Sequence, residues 1–374
     1  MLKLRSVYLS VEHVKLIMES ENVAHLKVLD LSENDIGSVG AEHVGSASMK
    51  ELTSLNLASC HIVDRVNALS HLFSQLTSLN LRGNSVGCEV AKVLSSCDMS
   101  RLTFLNISDT DLTYENITSI ANTNFPNLTT LIMSRFGTES TSKNYVNIQE
   151  LKALTQKRSE WIQLLSAMLC FKKATTLQLN GNALGEDGVA YVLKHAMNVT
   201  HLDLRDNELN ADALKAIASS SNMEKLKTLN IKEYATKNYG LSFLANSVYL
   251  SNLETLSLEM RCSEKEYVTL FTSPYMSHLT DLNISQSVRL TEKGIKALGS
   301  SSSMRNLTKL QMEACLFGRE AVECFATHCE SLSNLRTLGM NSCYLGEEEA
   351  TIIKNSPFLG KLTSFGYFTY IDRD

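Results

Sequence analysis

The chain lacks the features that would place it in a membrane or on a nucleic acid. Its 374 residues contain no run approaching the roughly 18 consecutive apolar residues of a spanning helix. The formal net charge is -5 and the pI is about 6.0, whereas binding to phosphates requires clustered Lys and Arg. We therefore expect neither membrane nor nucleic acid as a partner.

Signals of secretion and of cysteine pairing are also weak. The nine cysteines are odd in number and include no Cys-x-x-Cys pair, which predicts reduced thiols in a cytoplasmic protein. The first 20 residues carry charges such as Lys3, Arg5 and Lys15, so no signal peptide is expected. Asn-x-Ser/Thr sequons would favour secretion if they were independent, but most coincide with positions of the repeat described below. They are Asn106, Asn116, Asn127, Asn198, Asn283 and Asn306.

Catalytic motifs are absent from the sequence. There is no Gly-x-Ser-x-Gly, no Gly-rich loop followed by Lys, and no His-x-x-x-His or paired-Cys metal spacing. We therefore predict a protein that is not an enzyme and that has no cofactor and no metal.

What the chain does contain is a Leu-x-x-Leu-x-Leu pattern that returns about every 26 residues. Fourteen candidate units are separated by 22 to 28 residues, except for one step of 46. A repeat that runs from end to end predicts one elongated domain over residues 1–374. The units start at Leu4, Leu26, Leu52, Leu76, Leu102, Leu128, Ala174, Val199, Leu226, Leu253, Leu279, Leu307, Leu335 and Leu362.

Each unit reads as a short strand followed by a helix. The Leu-x-Leu alternation has period 2 and predicts a strand with its leucines on one side. Segments such as Leu184–Ala196 and Leu209–Ser221 then open with a turn residue and an acidic first turn, and place apolar residues three and four apart. In unit length and in the Leu-Gly-x-x-Gly opening of its helices, the chain resembles the leucine-rich repeat family, and within it the ribonuclease-inhibitor-like class.

The resemblance implies an α/β fold, a leucine-rich repeat solenoid or horseshoe. Parallel strands lie about 4.8 Å apart, whereas packed helices need about 8 to 10 Å, so we expect strands on the concave face and helices on the convex face. Some units resemble the cysteine-containing class, with Cys60, Cys315 and Cys343 where other units have Asn34, Asn84, Asn182 and Asn207. We expect this column to bond buried backbone groups in the turn, with an irregular turn where Thr110, Tyr234, Arg261 and Ser287 occupy it.

Residues between the leucines should line the concave face. In the first units these are mostly small and uncharged, and a run of asparagines among them (Asn56, Asn80, Asn106, Asn230 and Asn283) is interpreted as a habit of the repeat. Later units gather charge, which can orient a protein partner, although an ordinary solvated strand face is the alternative. We predict partner-binding residues at His201, Asp203, Arg205, Lys232, Glu259, Asp281, Lys309 and Glu313.

Three segments depart from the repeat. Residues 1–25 form a shortened first unit that is predicted to cap the core. The insertion at 134–173, which contains the only tryptophan, Trp161, is predicted to form a long helix, or alternatively to project a loop at 135–144 toward a partner. Residues 362–374 are predicted as a terminal strand whose aromatic edge either caps the core or mediates self-association of an otherwise monomeric protein.

These patterns predict a protein-protein interaction module that binds an unidentified protein on its concave face. Because Ran GTPase-activating proteins and ribonuclease inhibitors share this repeat class, the alternative is a regulator of an enzyme, with Arg82 and Arg205 as candidate arginines. A pathogen effector or adaptor is a further alternative. A ribonuclease inhibitor is disfavoured because the predicted inner face lacks strong acidic and aromatic character.

Overall fold

The computed structural model describes residues 1–113, 116, 119–120, 123–135, 173–233, 240–286 and 290–367. Its contacts divide the chain into two compact units. Unit 1 comprises Met1–Ala183 and His195–Val199, and unit 2 comprises Leu184–Lys194 and Thr200–Asp374. The prediction of a single domain over 1–374 stays a prediction.

Unit 1 is built on parallel strands that follow one another in chain order. The central leucines stay in register from strand to strand, as in the pairing of Leu29 with Leu55 and of Leu55 with Leu79. The strands are β1 (Leu2–Lys3), β2 (Val28–Asp30), β3 (Ser54–Asn56), β4 (Ser78–Asn80), β5 (Phe104–Asn106), β6 (Thr130–Ile132) and β7 (Thr176–Gln178).

Short helices alternate with the strands of unit 1. Two 3-10 turns, Glu21–His25 and Val66–Leu69, supplement them. The described helices are α1 (Val11–Met18), α2 (Gly37–Ser46), α3 (Ser70–Phe73) and α4 (Gly87–Ser96).

Unit 2 repeats the same arrangement, again with parallel strands in chain order. Its second and third strands have six residues, twice the length of their neighbours. The strands are β8 (His201–Asp203), β9 (Thr228–Glu233), β10 (Thr255–Met260), β11 (Asp281–Asn283), β12 (Lys309–Gln311), β13 (Thr337–Gly339) and β14 (Ser364–Gly366).

From Ala211–Ser219 onward, each helix of unit 2 packs on the next one in the chain. Short 3-10 turns such as Ser221–Met223 and Pro274–Met276 lead from several of them into the next strand. The described helices are α5 (Gly185–His195), α6 (Ala211–Ser219), α7 (Leu241–Ala245), α8 (Glu264–Thr272), α9 (Glu292–Ser300), α10 (Arg319–Thr327) and α11 (Glu347–Lys354).

Leucine burial explains why each repeat folds this way. Leu29 and Leu31 are fully buried, whereas Val28 and Asp30 on the opposite face of the same strand are partly exposed. Each fully buried leucine contributes about 1.5 to 3 kcal/mol, and every repeat supplies several of them. The predicted α/β leucine-rich repeat solenoid, with leucines on the core side of a parallel sheet, is confirmed.

After several of the described strands, the predicted column forms a buried hydrogen-bonding ladder. The Asn84 side-chain oxygen accepts from Cys60 N at 3.1 Å and from Ile62 N at 3.0 Å, and its amide donates to Leu57 O at 2.7 Å. The Cys60 thiol lies 3.3 Å from Leu31 O. These side chains satisfy backbone groups that leave the strand and would otherwise be unpaired in the core.

The turn that carries this column requires left-handed backbone at non-glycine residues. Ser59 and His61, with φ of 52° and 56°, flank Cys60, and Ser342 and Tyr344, with φ of 57° and 55°, flank Cys343. Such residues are uncommon outside glycine and asparagine. The ladder bonds of the intervening cysteine or asparagine hold the turn in this conformation.

Several predictions fall partly or wholly outside the described residues. The long helix and projecting loop of the insertion involve residues 136–172, which lie outside them. The predicted terminal strand at 362–374 is described only to residue 367, with β14 at Ser364–Gly366. Among the described residues, none of the helices has the length and apolar character needed to cross a bilayer.

Candidate functional site

The eight predicted site residues all lie on the side of the unit 2 sheet that faces away from its buried leucines. Cross-strand registry places them in rows: Asp281 pairs with Lys309, and Lys232 with Glu259. We call this surface the unit 2 face. Its members are His201, Asp203, Arg205, Thr228, Asn230, Lys232, Thr255, Ser257, Glu259, Asp281, Asn283, Ser285, Lys309, Gln311, Glu313, Thr337, Gly339 and Asn341.

Arg205 and Asp203 form a two-pronged ion pair at the end of β8. Arg205 Nε lies 3.0 Å from Asp203 Oδ1, and Nη2 lies 2.6 Å from Oδ2. The Asp203 side chain is only 4% exposed, whereas that of Arg205 is 42% exposed. The hydrogen bond to Asp203 raises the pKa of Arg205. Asp203 therefore holds Arg205 in place, and a partner would contact the exposed part of the Arg205 side chain.

Lys232 and Glu259 form the second ion pair, 2.9 Å apart. They lie on the extra length of β9 and β10, where these strands continue past the third residue that ends their neighbours. The side chains are 26% and 14% exposed, so the pair is shielded from water more than an ordinary surface pair. Arg261, where an irregular turn is expected, directly follows the extended β10, which ends at Met260. Tyr234 and Ser287 lie outside the described residues.

The remaining predicted residues divide into a pair and two individual side chains. Lys309 Nζ donates to Asp281 Oδ2 across neighbouring strands at 3.0 Å. His201 is exposed, and its Nδ1 lies 2.8 Å from Thr200 Oγ1. Glu313 accepts a hydrogen bond from Asn341 Nδ2 at 2.9 Å and, among the described residues, has no cationic side chain within ion-pair distance.

One functional carboxylate was missed by sequence reasoning. Glu233 is buried, and its Oε1 accepts from Asn207 N at 2.8 Å and from Leu209 N at 3.1 Å. It makes the kind of bonds to backbone N–H groups that Asn84 makes in the ladder. The signal was the alternation of Leu229, Ile231 and Glu233, which points the carboxylate toward the core. Burial raises its pKa above the ordinary value for Glu.

The asparagines of the repeat are structural, as interpreted from sequence. Asn56, Asn80, Asn106 and Asn283 each accept, through Oδ1, the backbone N–H two residues later, at 2.9 to 3.2 Å. Asp203 makes the same bond to Arg205 N at 3.1 Å. The side chain at this position therefore caps the end of the strand. The residues before and after it can vary from one repeat to the next.

Most of the described cysteines are shielded thiols, whereas Cys88 is exposed and Cys97 is partly buried. Burial raises the pKa of Cys60 and of Cys343 to about 12, so neither supplies thiolate at neutral pH. Within the part of the chain that the structure describes, no three His, Cys, Asp or Glu side chains are grouped to hold a metal ion.

The arginines proposed for an enzyme regulator are both engaged. Arg82 Nε lies 3.3 Å from Asp109, which Arg135 also approaches at 3.7 Å. Arg205 is held by Asp203 as described above. An arginine that enters a partner's active site would first have to leave these carboxylates.

Two stretches of the chain match a known family. Residues 24–44 and 195–218 match the family model described as Leucine Rich repeat. The chain contains leucine-rich repeats. No curated protein matches the sequence.

Solved structures share the fold at low sequence identity. A chain from the crystal structure of the Rad7 and Elc1 complex in yeast is 18% identical, with a TM-score of 0.63 and coverage of 95% of this chain and 83% of that chain. An internalin from Listeria monocytogenes is 15% identical, with a TM-score of 0.51 and coverage of 96% and 89%. A chain from a TLR13–ssRNA13 complex is 16% identical, covers 92% of this chain and 53% of that chain, and has a TM-score of 0.42, too low to carry an argument.

Proposed function

We propose that this chain is a non-catalytic interaction module that binds a protein partner through the unit 2 face. Direct contacts would come from side chains that are at least partly exposed, while Asp203 positions Arg205. The contact residues are His201, Arg205, Lys232, Glu259, Asp281, Lys309 and Glu313.

The observation that carries this proposal is the fixed arrangement of three ion pairs on consecutive strands. Long charged side chains normally lose rotamer entropy when a partner immobilises them. Here the pairs Arg205 with Asp203, Lys232 with Glu259, and Lys309 with Asp281 already hold them. A partner therefore meets a prearranged charge pattern, which favours orientation and selectivity.

The engaged side chains keep donors for a partner. Arg205 uses Nε and Nη2 for Asp203, and its Nη1 makes no hydrogen bond to the described residues. Lys309 donates to Asp281 through one of the three hydrogens of an ammonium group. Both cations can therefore bind a partner acceptor without breaking their internal pairs.

The finer assignments belong to the same proposal. Repeats of the ribonuclease-inhibitor-like class are supported by unit lengths of 22 to 28 residues and by the Leu-Gly-x-x-Gly opening at Leu184. A cytoplasmic location is supported by thiols such as Cys60 and Cys343 that are buried and not joined in disulfides. We propose a monomer. Its acidic balance supports the proposal that it binds neither nucleic acid nor membrane.

Differential capture tests the proposal. Wild-type protein and two triple variants would be immobilised and exposed to the same cell extract, followed by mass spectrometry. The site variant carries Arg205→Ala, Lys232→Ala and Glu259→Ala; the control carries Ser78→Ala, Asn80→Ala and Thr130→Ala on the unit 1 sheet. We expect proteins that bind the wild type and the control but not the site variant. A partner that binds all three equally would overturn the proposed site.

The enzyme-regulator alternative gains no specific support from the geometry, because Arg82 and Arg205 are both paired with carboxylates. Acceleration of GTP hydrolysis by the chain, measured on a panel of small GTPases, would favour that alternative over a simple module.

A further inference from the structure

We propose that the unit 2 face contains, between β12 and β13, a socket that accepts an arginine side chain of the protein partner. This inference rests on the proposed function, since it names the partner chemistry at one end of the same face. The socket consists of Gly339 as its floor and Gln311, Glu313 and Asn341 as its walls.

A missing side chain creates the socket. In the middle row of the face, Asn230, Ser257, Asn283 and Gln311 occupy successive strands, and the next residue in register is Gly339. A Cβ built on Gly339 would lie 2.8 Å from Gln311 Oε1 and 3.4 Å from Glu313 Oε1. Two acceptor oxygens therefore converge on the space above one glycine.

The backbone does not need glycine at this position. Gly339 is absent from the residues with left-handed φ, and it lies in a regular strand where β-branched residues are normally favoured. Glycine in a strand interior often marks a place where another group approaches closely. Here the absence of a Cβ leaves room for the Gln311 side-chain amide, which lies over Gly339 and presents Oε1 beside Glu313 Oε1.

Among the described residues, the walls keep capacity to accept further hydrogen bonds. Gln311 makes no side-chain hydrogen bond to the described residues. Glu313 is partly buried and, unlike Asp203, Glu259 and Asp281, lacks a cationic partner among those residues.

Asn341 positions Glu313. Its Nδ2 donates to Glu313 Oε1 at 2.9 Å, while its own Oδ1 is buried and has no hydrogen-bond partner among the described residues. This bond fixes the carboxylate of Glu313 beside the socket.

A guanidinium group fits this set of acceptors. It is planar, carries five N–H donors and no acceptor, and can bind a carboxylate and a neighbouring amide oxygen together. It also supplies the positive charge that Glu313 needs when a partner covers it, because a carboxylate buried without a counter-charge is strongly unfavourable. Lysine would supply the charge but not the planar array of donors.

Peptide selection tests the socket. The probe is a random peptide library displayed on phage and selected against the full wild-type chain; enriched peptides are then synthesised, with each Arg also replaced by the neutral isostere citrulline. We expect enriched peptides to contain Arg. Affinity should fall at least about tenfold on citrulline replacement, on Glu313→Gln and on Gly339→Val.

Matched variants control for folding and position. Glu323→Gln, on the outer helix α10 where it pairs with Arg319 at 3.0 Å, should leave affinity within about twofold of wild type. Circular dichroism should show that Glu313→Gln and Gly339→Val retain the fold. If Gly339→Val unfolds the chain, the Glu313→Gln variant and the citrulline peptides still test the socket.

The outcomes separate the socket from the proposed function. Peptides that bind Glu313→Gln as well as wild type, but lose affinity for the Arg205, Lys232 and Glu259 triple variant, would overturn the socket and leave the proposed function standing. Peptides insensitive to both sets of variants, or no enrichment at all, would overturn both. Binding that survives citrulline replacement but is displaced by millimolar Ca²⁺ would make the occupant a small cation and overturn the arginine assignment.

Discussion

The two units use the same strand-turn-helix repeat but carry different faces. On the unit 1 sheet the residues between the leucines are mostly small, and they satisfy one another: Ser134 Oγ donates to Asn180 at 2.6 Å, and Asn56 Nδ2 donates to Ser32 Oγ at 3.3 Å. On the unit 2 face three ion pairs follow one another, and Glu313 has no described cation. Fold and recognition are therefore specified by different positions of one repeat.

The largest effect should come from the ladder, which both units share. Asn84→Ala removes one acceptor from two buried N–H groups and one donor from buried carbonyls, so we expect a loss of about 3 kcal/mol in the free energy of unfolding. Urea denaturation would measure it. Asn80→Ala, which loses one bond to Arg82 N, is the matched control and should cost about 1 kcal/mol or less. Equal losses of unfolding free energy in the two variants would mean that the ladder bonds of Asn84 stabilise the fold no more than the single bond of Asn80.

A charge swap on the unit 2 face separates folding from recognition. Lys232→Glu places like charges directly opposite each other, since residue 232 pairs with Glu259, and should destabilise by about 1 kcal/mol. Adding Glu259→Lys should restore stability but not partner affinity, because the pair is rebuilt with its pattern reversed. If the double variant recovers partner affinity as well as stability, the partner does not recognise this charge pattern.

Glu233 should give unit 2 a pH dependence that the asparagine ladder of unit 1 lacks. Because burial raises its pKa, the folded state binds its proton more tightly than the unfolded state. Its favourable contribution is present below the unfolded pKa and is lost as pH rises through the raised folded pKa. We expect wild type to lose stability relative to Glu233→Gln across that window, measured as the difference between urea denaturation curves at several pH values.

The difference between wild type and Glu233→Gln cancels the other titrating groups that the two proteins share. A difference that does not change with pH, or that changes in the opposite direction, would contradict the assignment of Glu233 as a buried carboxylate in the ladder.

The smallest effect should come from the most exposed of the three ion pairs on the unit 2 face. Asp281→Asn removes the 3.0 Å ion pair with Lys309, whose side chains are 28% and 44% exposed, and should cost about 0.5 kcal/mol of stability. Thr130→Val, a substitution of similar size on the unit 1 sheet, serves as the comparison. Raising the salt concentration should shrink the Asp281→Asn effect and leave the Thr130→Val effect unchanged.

Leucine spacing was enough to predict the fold class, because period-2 burial and a unit length of about 26 residues leave few other architectures. It also placed the predicted charges on one face. Spacing could not show that Asp203 is buried beside Arg205, that β9 and β10 extend by three residues, or that Glu233 bonds buried N–H groups. These depend on cross-strand contacts, where a shift of one residue exchanges core and surface.

The most direct test of the account is the affinity of a captured partner, measured by isothermal titration calorimetry, for wild type and the two triple variants. We predict that Arg205→Ala, Lys232→Ala and Glu259→Ala together weaken binding at least about 100-fold, while Ser78→Ala, Asn80→Ala and Thr130→Ala leave it unchanged. Undiminished binding by the first variant, or a comparable loss in the second, would contradict a binding site on the unit 2 face.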